Sequence, residues 1–242
     1  MSDMGFGKIL DVIGGALNIF DFSFFISGSV TLGILLVDVV VCYGADSINA
    51  IFSYPTWLVV ILIIMAIYVS GLISWMIGRN IRRPHEYETL PNDCVKLENG
   101  EGGNQDDFSK EYDRIIKSVG IDNDETIKAI KDRNDAYSYM WIKLESKHDN
   151  TGVKSHLDYC KRLWVMRALF EGLIFSWIFA IIVMLDIVIF HNDSLRINLA
   201  VICLLFLFFI IMTYLSNVVA SSYARNQLKD TIIAYKIYVL NS

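Results

Sequence analysis

Four continuous apolar runs, residues 22–41, 57–77, 169–190 and 195–215, interrupt a chain whose other segments alternate apolar and polar positions at helical spacing. Each run has about 20 residues, enough at ~1.5 Å per residue to cross a ~30 Å hydrocarbon core. Backbone amides in lipid must find partners within their own segment or in a closed barrel, and unbroken apolarity lacks the alternation of a barrel strand. The pattern therefore predicts an all-α membrane protein. Four transmembrane helices carry a cytoplasmic helical domain inserted between the second and third.

The same pattern divides the chain. Residues 1–20 place Phe6, Ile9, Leu10, Ile13, Leu17 and Phe20 on one stripe, as in an amphipathic helix lying at the membrane surface. Residues 21–78 form the first transmembrane hairpin and 79–168 the cytoplasmic helical domain, with a flexible loop at 84–107 centred on Asn99-Gly100-Glu101-Gly102-Gly103-Asn104. Residues 169–216 form the second hairpin and 217–242 a cytoplasmic C-terminal helix. Within the central domain a short helix over 108–119 stops at Gly120, and a longer one over 125–147 carries Ile127, Ile130, Tyr137, Met140, Trp141 and Leu144 on one face. From Val153, Leu157, Cys160 and Trp164 continue helical spacing into the third span with no Gly or Pro before Phe170. The fourth span likewise continues past Tyr214 into a tail bearing Ile232, Ile233, Tyr235, Tyr238 and Val239. A packing and partner surface is expected at Tyr137, Trp141, Leu144, Leu157, Trp164, Tyr235 and Tyr238.

Charge sets the orientation. With the N-terminus inside, Arg196 is the single basic residue of the outer loops among 21 Lys and Arg. Basic residues near span ends stay cytoplasmic, so both termini and the central domain are expected inside. Trp75, Arg79, Arg82 and Arg83 make an aromatic and basic anchor at the inner face, and its arginines are expected to tolerate single changes, since orientation depends on summed charge. Hydrophobic content of 54% and a mean hydropathy of +0.44 suit a chain with about a third of its residues in lipid. Acidic and basic residues nearly balance in the central domain, which gives no electropositive footprint for nucleic acid. Lys8 is the lone lysine before the first run, and that run is too long for a signal-peptide core.

Chemistry is sparse. Asp38 and Asp186 sit within apolar runs at matching positions beyond Asp21 and Glu171, so they are expected at similar depth, near the outer edge of the hydrocarbon. They either meet headgroup water or, in an oligomer, line a cation path. Cys42, Cys94, Cys160 and Cys203 show no metal or redox spacing, and no histidine pair has metal-ligand spacing on a helix. Arg79 and His85 match a loose R-x(4–6)-H ribonuclease pattern, but Pro84 and the adjoining span are wrong for a soluble helical bundle. No nucleotide-binding or hydrolase signature is present. The expectation is a protein that is not an enzyme, with no catalytic residue, metal or cofactor. Ser29 and Gly33, and Ser70, Ser74 and Gly78, recur every four residues as seams where helices can approach, within the chain or between copies.

Phe20-Asp21-Phe22, Ile67-Tyr68-Val69-Ser70-Gly71 and Tyr223-Ala224-Arg225 form a loose pattern around the spans. It resembles bacterial four-span membrane proteins of phage-defence neighbourhoods, a group that includes the membrane subunit of the Kiwa defence system. The resemblance covers the spans and not the central domain. It implies a bacterial inner (plasma) membrane protein that acts as sensor, effector or anchor with a cytosolic protein partner. The resulting expectation is a homo-oligomer in the lipid bilayer whose cytoplasmic helices bind a partner or signal and change the membrane part. A passive scaffold and a small ion channel or transporter are the rivals.

Overall fold

The computed structural model describes residues 19–44, 46, 54–82, 107–121, 124–130, 133–190 and 199–240. Apart from turns and a terminal π-turn these are helices, and no strand occurs among the described residues. They form α1 (Ile19–Tyr43), α2 (Thr56–Arg82), α3 (Asp107–Val119), α4 (Glu125–Ala129), α5 (Arg133–Glu145), α6 (Thr151–Phe190) and α7 (Leu199–Tyr235), with the π-turn at Lys236–Leu240. Four of them, α1, α2, α6 and α7, are long and apolar enough to cross a membrane. Their outward side chains are largely apolar, including Leu62, Met65, Ile73 and Met76 of α2 and Leu204, Leu207 and Ile211 of α7. Apolar faces of that extent are compatible with a multi-pass membrane protein, where lipid covers them.

The described residues separate into two compact units. One contains the chain up to Ile81 together with Ala168–Ala220, and the other contains Arg82–Arg167 and the residues from Ser221 onward. Each of α6 and α7 therefore supplies one stretch to each unit, with no helix-breaking residue between the stretches. All of the amphipathic stripe over 4–20 but Ile19 and Phe20, and all of the loop at 84–107 but Asp107, lie outside the described residues, as does His85.

The apolar unit is held by close backbone approach. A Cβ on Gly28 would lie 1.9 Å from the Ile67 carbonyl oxygen, one on Gly71 1.9 Å from that of Phe24, and one on Gly78 1.7 Å from that of Glu171. Only glycine leaves room for α1 against α2 and for α2 against α6 at these points. The Ser70, Ser74 and Gly78 seam is thus internal to the chain: Ser74 and Gly78 are buried, and the Ser70 hydroxyl lies 3.1 Å from the Gly28 carbonyl. Ser29 and Gly33 instead face outward, and nothing lies within 4 Å of a Cβ built on Gly33. Against α6, α7 makes aromatic contacts, with Trp177 stacked on Phe209 at 6.1 Å and its Nε1 donating to Ser216 Oγ at 3.2 Å. Gly44 closes α1 at φ 79°, donating to the Val40 carbonyl at 2.9 Å, a left-handed cap that glycine adopts without strain.

The second unit has a core built from Tyr112, Ile115, Ile116 and Ile121 around α3, Ile127 of α4, Ala136, Met140 and Leu144 of α5, Val153 and Leu157 of α6, and Leu228, Ile232, Ala234 and Tyr235 of α7. The α3 stop is a paired cap: Gly120, at φ 71°, donates to Ile116 at 3.0 Å and Ile121 reaches the same carbonyl at 3.2 Å. The single helix expected over 125–147 is divided into α4 and α5. The stretch Lys131-Asp132-Arg133-Asn134-Asp135 has no apolar side chain to extend the stripe, and Asp135 favours a helix start in the first turn of α5. Asn150 does not merely break the chain. Its Oδ1 accepts from Gly152 N at 2.9 Å and Val153 N at 3.4 Å, so α6 begins at Thr151, before the expected Val153. The end of the chain is tied down by two lysines, with Lys236 Nζ donating to the Val119 carbonyl and Lys147 Nζ to that of Tyr238 at 2.8 Å.

Candidate functional site

On α1, Ser23, Ser27, Thr31, Asp38 and Cys42 follow one another at three-to-four-residue steps or multiples of them, which puts them on a single stripe. This stripe faces α2 and α6. In its middle Thr31 Oγ1 lies 2.9 Å from Ser74 Oγ and 2.7 Å from Ser176 Oγ, so three helices meet at three hydroxyls. Toward the α1 N-terminus, Tyr68 donates its hydroxyl to Asp21 Oδ1 at 3.0 Å. Nearby, Trp75 Nε1 donates to Glu171 Oε2 at 2.8 Å, with the Arg79 guanidinium 5.4 Å from the same indole ring. Glu171 is 1% exposed, so its carboxyl belongs to the interior of the apolar unit.

At the far end of the stripe Asp38, Cys42 and Asp186 converge, their oxygen and sulfur atoms all within 4.8 Å of one another. Cys42 Sγ is 3.5 Å from Asp38 Oδ1, one helical turn away on the same face. All three side chains are half-buried. Two carboxyl groups and a thiol facing each other on apolar helices form a donor set that can hold a small cation or share protons. The two acids picked out by their positions in the runs are therefore neighbours within one chain, and an oligomer is not needed to bring them together. Spacing between cysteines does not single out Cys42; its place four residues after Asp38 is the sequence signal that joins the two. Glu171 and the three hydroxyls meet their partners across helices, which spacing along one run does not reveal.

The residues expected as a packing and partner surface fall into two groups. Leu144, Leu157 and Tyr235 are buried core members, while Tyr137, Trp141 and Tyr238 are partly buried against that core. Trp164 is half-buried. The centre belongs to Met140, which is fully buried; Trp141 turns its Nε1 to Glu145 Oε2 of its own helix at 3.1 Å. Tyr137 carries the polar contacts here, with its hydroxyl 3.3 Å from Thr231 Oγ1 and accepting from Gln227 Nε2 at 3.4 Å. Burial pushes the Tyr137 phenol above its ordinary range, against those two hydrogen bonds. Arg82, fully buried, is not an interchangeable surface charge, which removes the basis for expecting single changes there to be tolerated. Comparison with family models, with curated proteins and with solved structures finds no match.

Proposed function

We propose that this chain is a multi-pass protein of a bacterial inner membrane, with both termini and the Arg82–Arg167 unit in the cytoplasm. In this reading the cytoplasmic unit binds a protein partner or signal and alters the membrane part, as a sensor or effector of antiphage defence. The observation that carries the coupling is the continuity of α6 and α7. Each is one helix, of 40 and 37 residues, that contributes both to the apolar unit and to the helical core of the second. Leu157 shares α6 with Trp177, and Ile232 shares α7 with Ser216. The defence role rests on the resemblance of the span motifs, and the orientation on the Lys and Arg asymmetry.

A second reading, a small cation channel, is favoured by the Asp38–Cys42–Asp186 convergence. Expression of the chain alone in bacteria separates them. Depolarisation or toxicity without any partner, abolished by Asp38→Asn or Asp186→Asn, supports the channel. An inert protein that gains such an effect only with a co-purifying cytosolic partner supports coupling. One that recruits a partner and never affects the membrane is a passive scaffold, and both readings then fail.

A further inference from the structure

The three hydroxyls at the centre of the apolar unit can satisfy all their hydrogens in two different ways. In the first, Ser74 and Ser176 both donate to Thr31 Oγ1, at 2.9 and 2.7 Å, and Thr31 donates to the Ser27 carbonyl of its own helix at 3.0 Å. This arrangement welds α1 to α2 and α6. In the second, Ser74 turns to the Ser70 carbonyl at 2.7 Å and Ser176 to that of Gly172 at 3.1 Å, while Thr31 keeps Ser27. No hydroxyl hydrogen is left without an acceptor, yet no bond then crosses from Thr31 to another helix. A second acceptor on α1, the Ser27 carbonyl 3.3 Å from Ser176 Oγ, is given up in the same rotation. Buried polar groups normally resist separation because parting them leaves a donor unpaired in a medium without water. Here the fallback acceptors are already within reach, so separation leaves no hydrogen unpaired and costs only the small net worth of the interhelical bonds together with lost packing.

The rest of α1 is held unequally. Its first turns are pinned: Asp21 accepts from Tyr68, Phe24 packs 5.6 Å from the Trp75 ring, and Gly28 and Gly71 sit at backbone contact with α2. An indole N–H has no acceptor on its own helix to fall back on, so the Trp75–Glu171 bond is likewise a fixed pin, here between α2 and α6. Beyond Thr31, Leu35, Leu36, Val37 and Val40 are exposed, Leu32, Ile34, Val39 and Val41 are partly buried, and Asp38 and Cys42 face Asp186.

We propose that the Thr31–Ser74–Ser176 junction is a releasable clasp, about which the outer half of α1 swings away from α6 while its first turns stay fixed. The movement opens and closes the Asp38–Cys42–Asp186 cluster. It locates the moving part within the spans and is independent of what the cytoplasmic unit binds.

The native thiol of Cys42 reports it. The full chain in lipid nanodiscs is labelled with N-ethylmaleimide, and the rate at Cys42 is read by peptide mass spectrometry. Thr31→Val keeps the size of the side chain and removes the shared acceptor. Loss of two interhelical bonds of ordinary strength in a bilayer should raise the labelling rate about 5–10-fold, and Ser176→Ala should raise it about 3-fold. Amide exchange over residues 21–28 should not change in either variant. A Cys42 rate unaltered by Thr31→Val overturns the clasp. So does a raised rate accompanied by faster exchange over 21–28, since the hydroxyls would then be holding the whole bundle together and α1 would not pivot.

Discussion

Met140 is 0% exposed at the middle of α5 and shares one core cluster with Leu144 of the same helix, Val153 and Leu157 of α6 and Ile232 of α7. Met140→Ala deletes its thioether arm and leaves a cavity between three helices that are also constrained by their connections. Such truncations cost 2–5 kcal/mol, and for a site enclosed on every side about 3 kcal/mol is expected, a factor of about 150 in the local folding equilibrium. Ile142, two residues along, is 64% exposed. Ile142→Ala therefore removes little packing and gains slightly in helix propensity, so its effect should stay within ~0.5 kcal/mol. The pair shares a helix, a substitution to Ala and a neighbourhood, and differs in burial. Hydrogen exchange of the full chain in lipid nanodiscs, read over α3, α5 and the start of α6, measures the difference. Protection in those peptides should fall about a hundredfold or more for Met140→Ala and stay near that of the parent for Ile142→Ala. If the two variants exchange alike, the second unit is not organised around this core, and the packing described for α3, α5, α6 and α7 is wrong.

Gly71→Ala places a methyl group 1.9 Å from the Phe24 carbonyl oxygen, a backbone atom that cannot step aside, whereas Gly33→Ala points into open space. The first should prevent recovery of a monodisperse protein after detergent extraction and the second should leave it unchanged, as size-exclusion profiles will show. Deleting residues 232–242 removes Ile232 and Tyr235 from the core of the second unit. The truncated chain should keep the protease-protected fragments of four inserted helices and lose exchange protection across α3 and α5. Arg82→Ala empties a fully buried charged position, so thermal unfolding in detergent should occur at a lower temperature than for the parent. For orientation, a phosphatase fused after Asn49 or Asn192 should be active, and one fused after Gly102 should be silent; activity at Gly102 would invert the proposed topology.

Hydrophobic periodicity by itself determined that four helices are long and apolar enough to cross a membrane, because twenty consecutive apolar residues have few other stable fates. It also showed that the third and fourth run on without a breaker, since the absence of Gly and Pro is a local property of the chain. The stop at Gly120 was legible for a similar reason, as a left-handed cap needs a residue without Cβ. Local pattern also raised Asp38 and Asp186, as charges are conspicuous among apolar residues. What it left open was partnership. Only the tertiary structure decided that the Ser70–Ser74–Gly78 seam closes within one chain while Ser29 and Gly33 stay open, because a small-residue repeat records that a backbone can come close and not whose. Only packing chose Met140 over Trp141 as the centre of the second unit, since neighbouring residues on a helix differ by about 100° in direction and the stripe alone does not locate its own midline. The same holds for Arg82, which reads as one of several anchoring charges and is buried. Cys42 joins Asp38 by helical spacing, but Asp186 reaches them from another helix, well over a hundred positions away in the chain. No pattern along α1 or α6 encodes that meeting; it follows from how glycine contacts and hydroxyls hold the helices side by side.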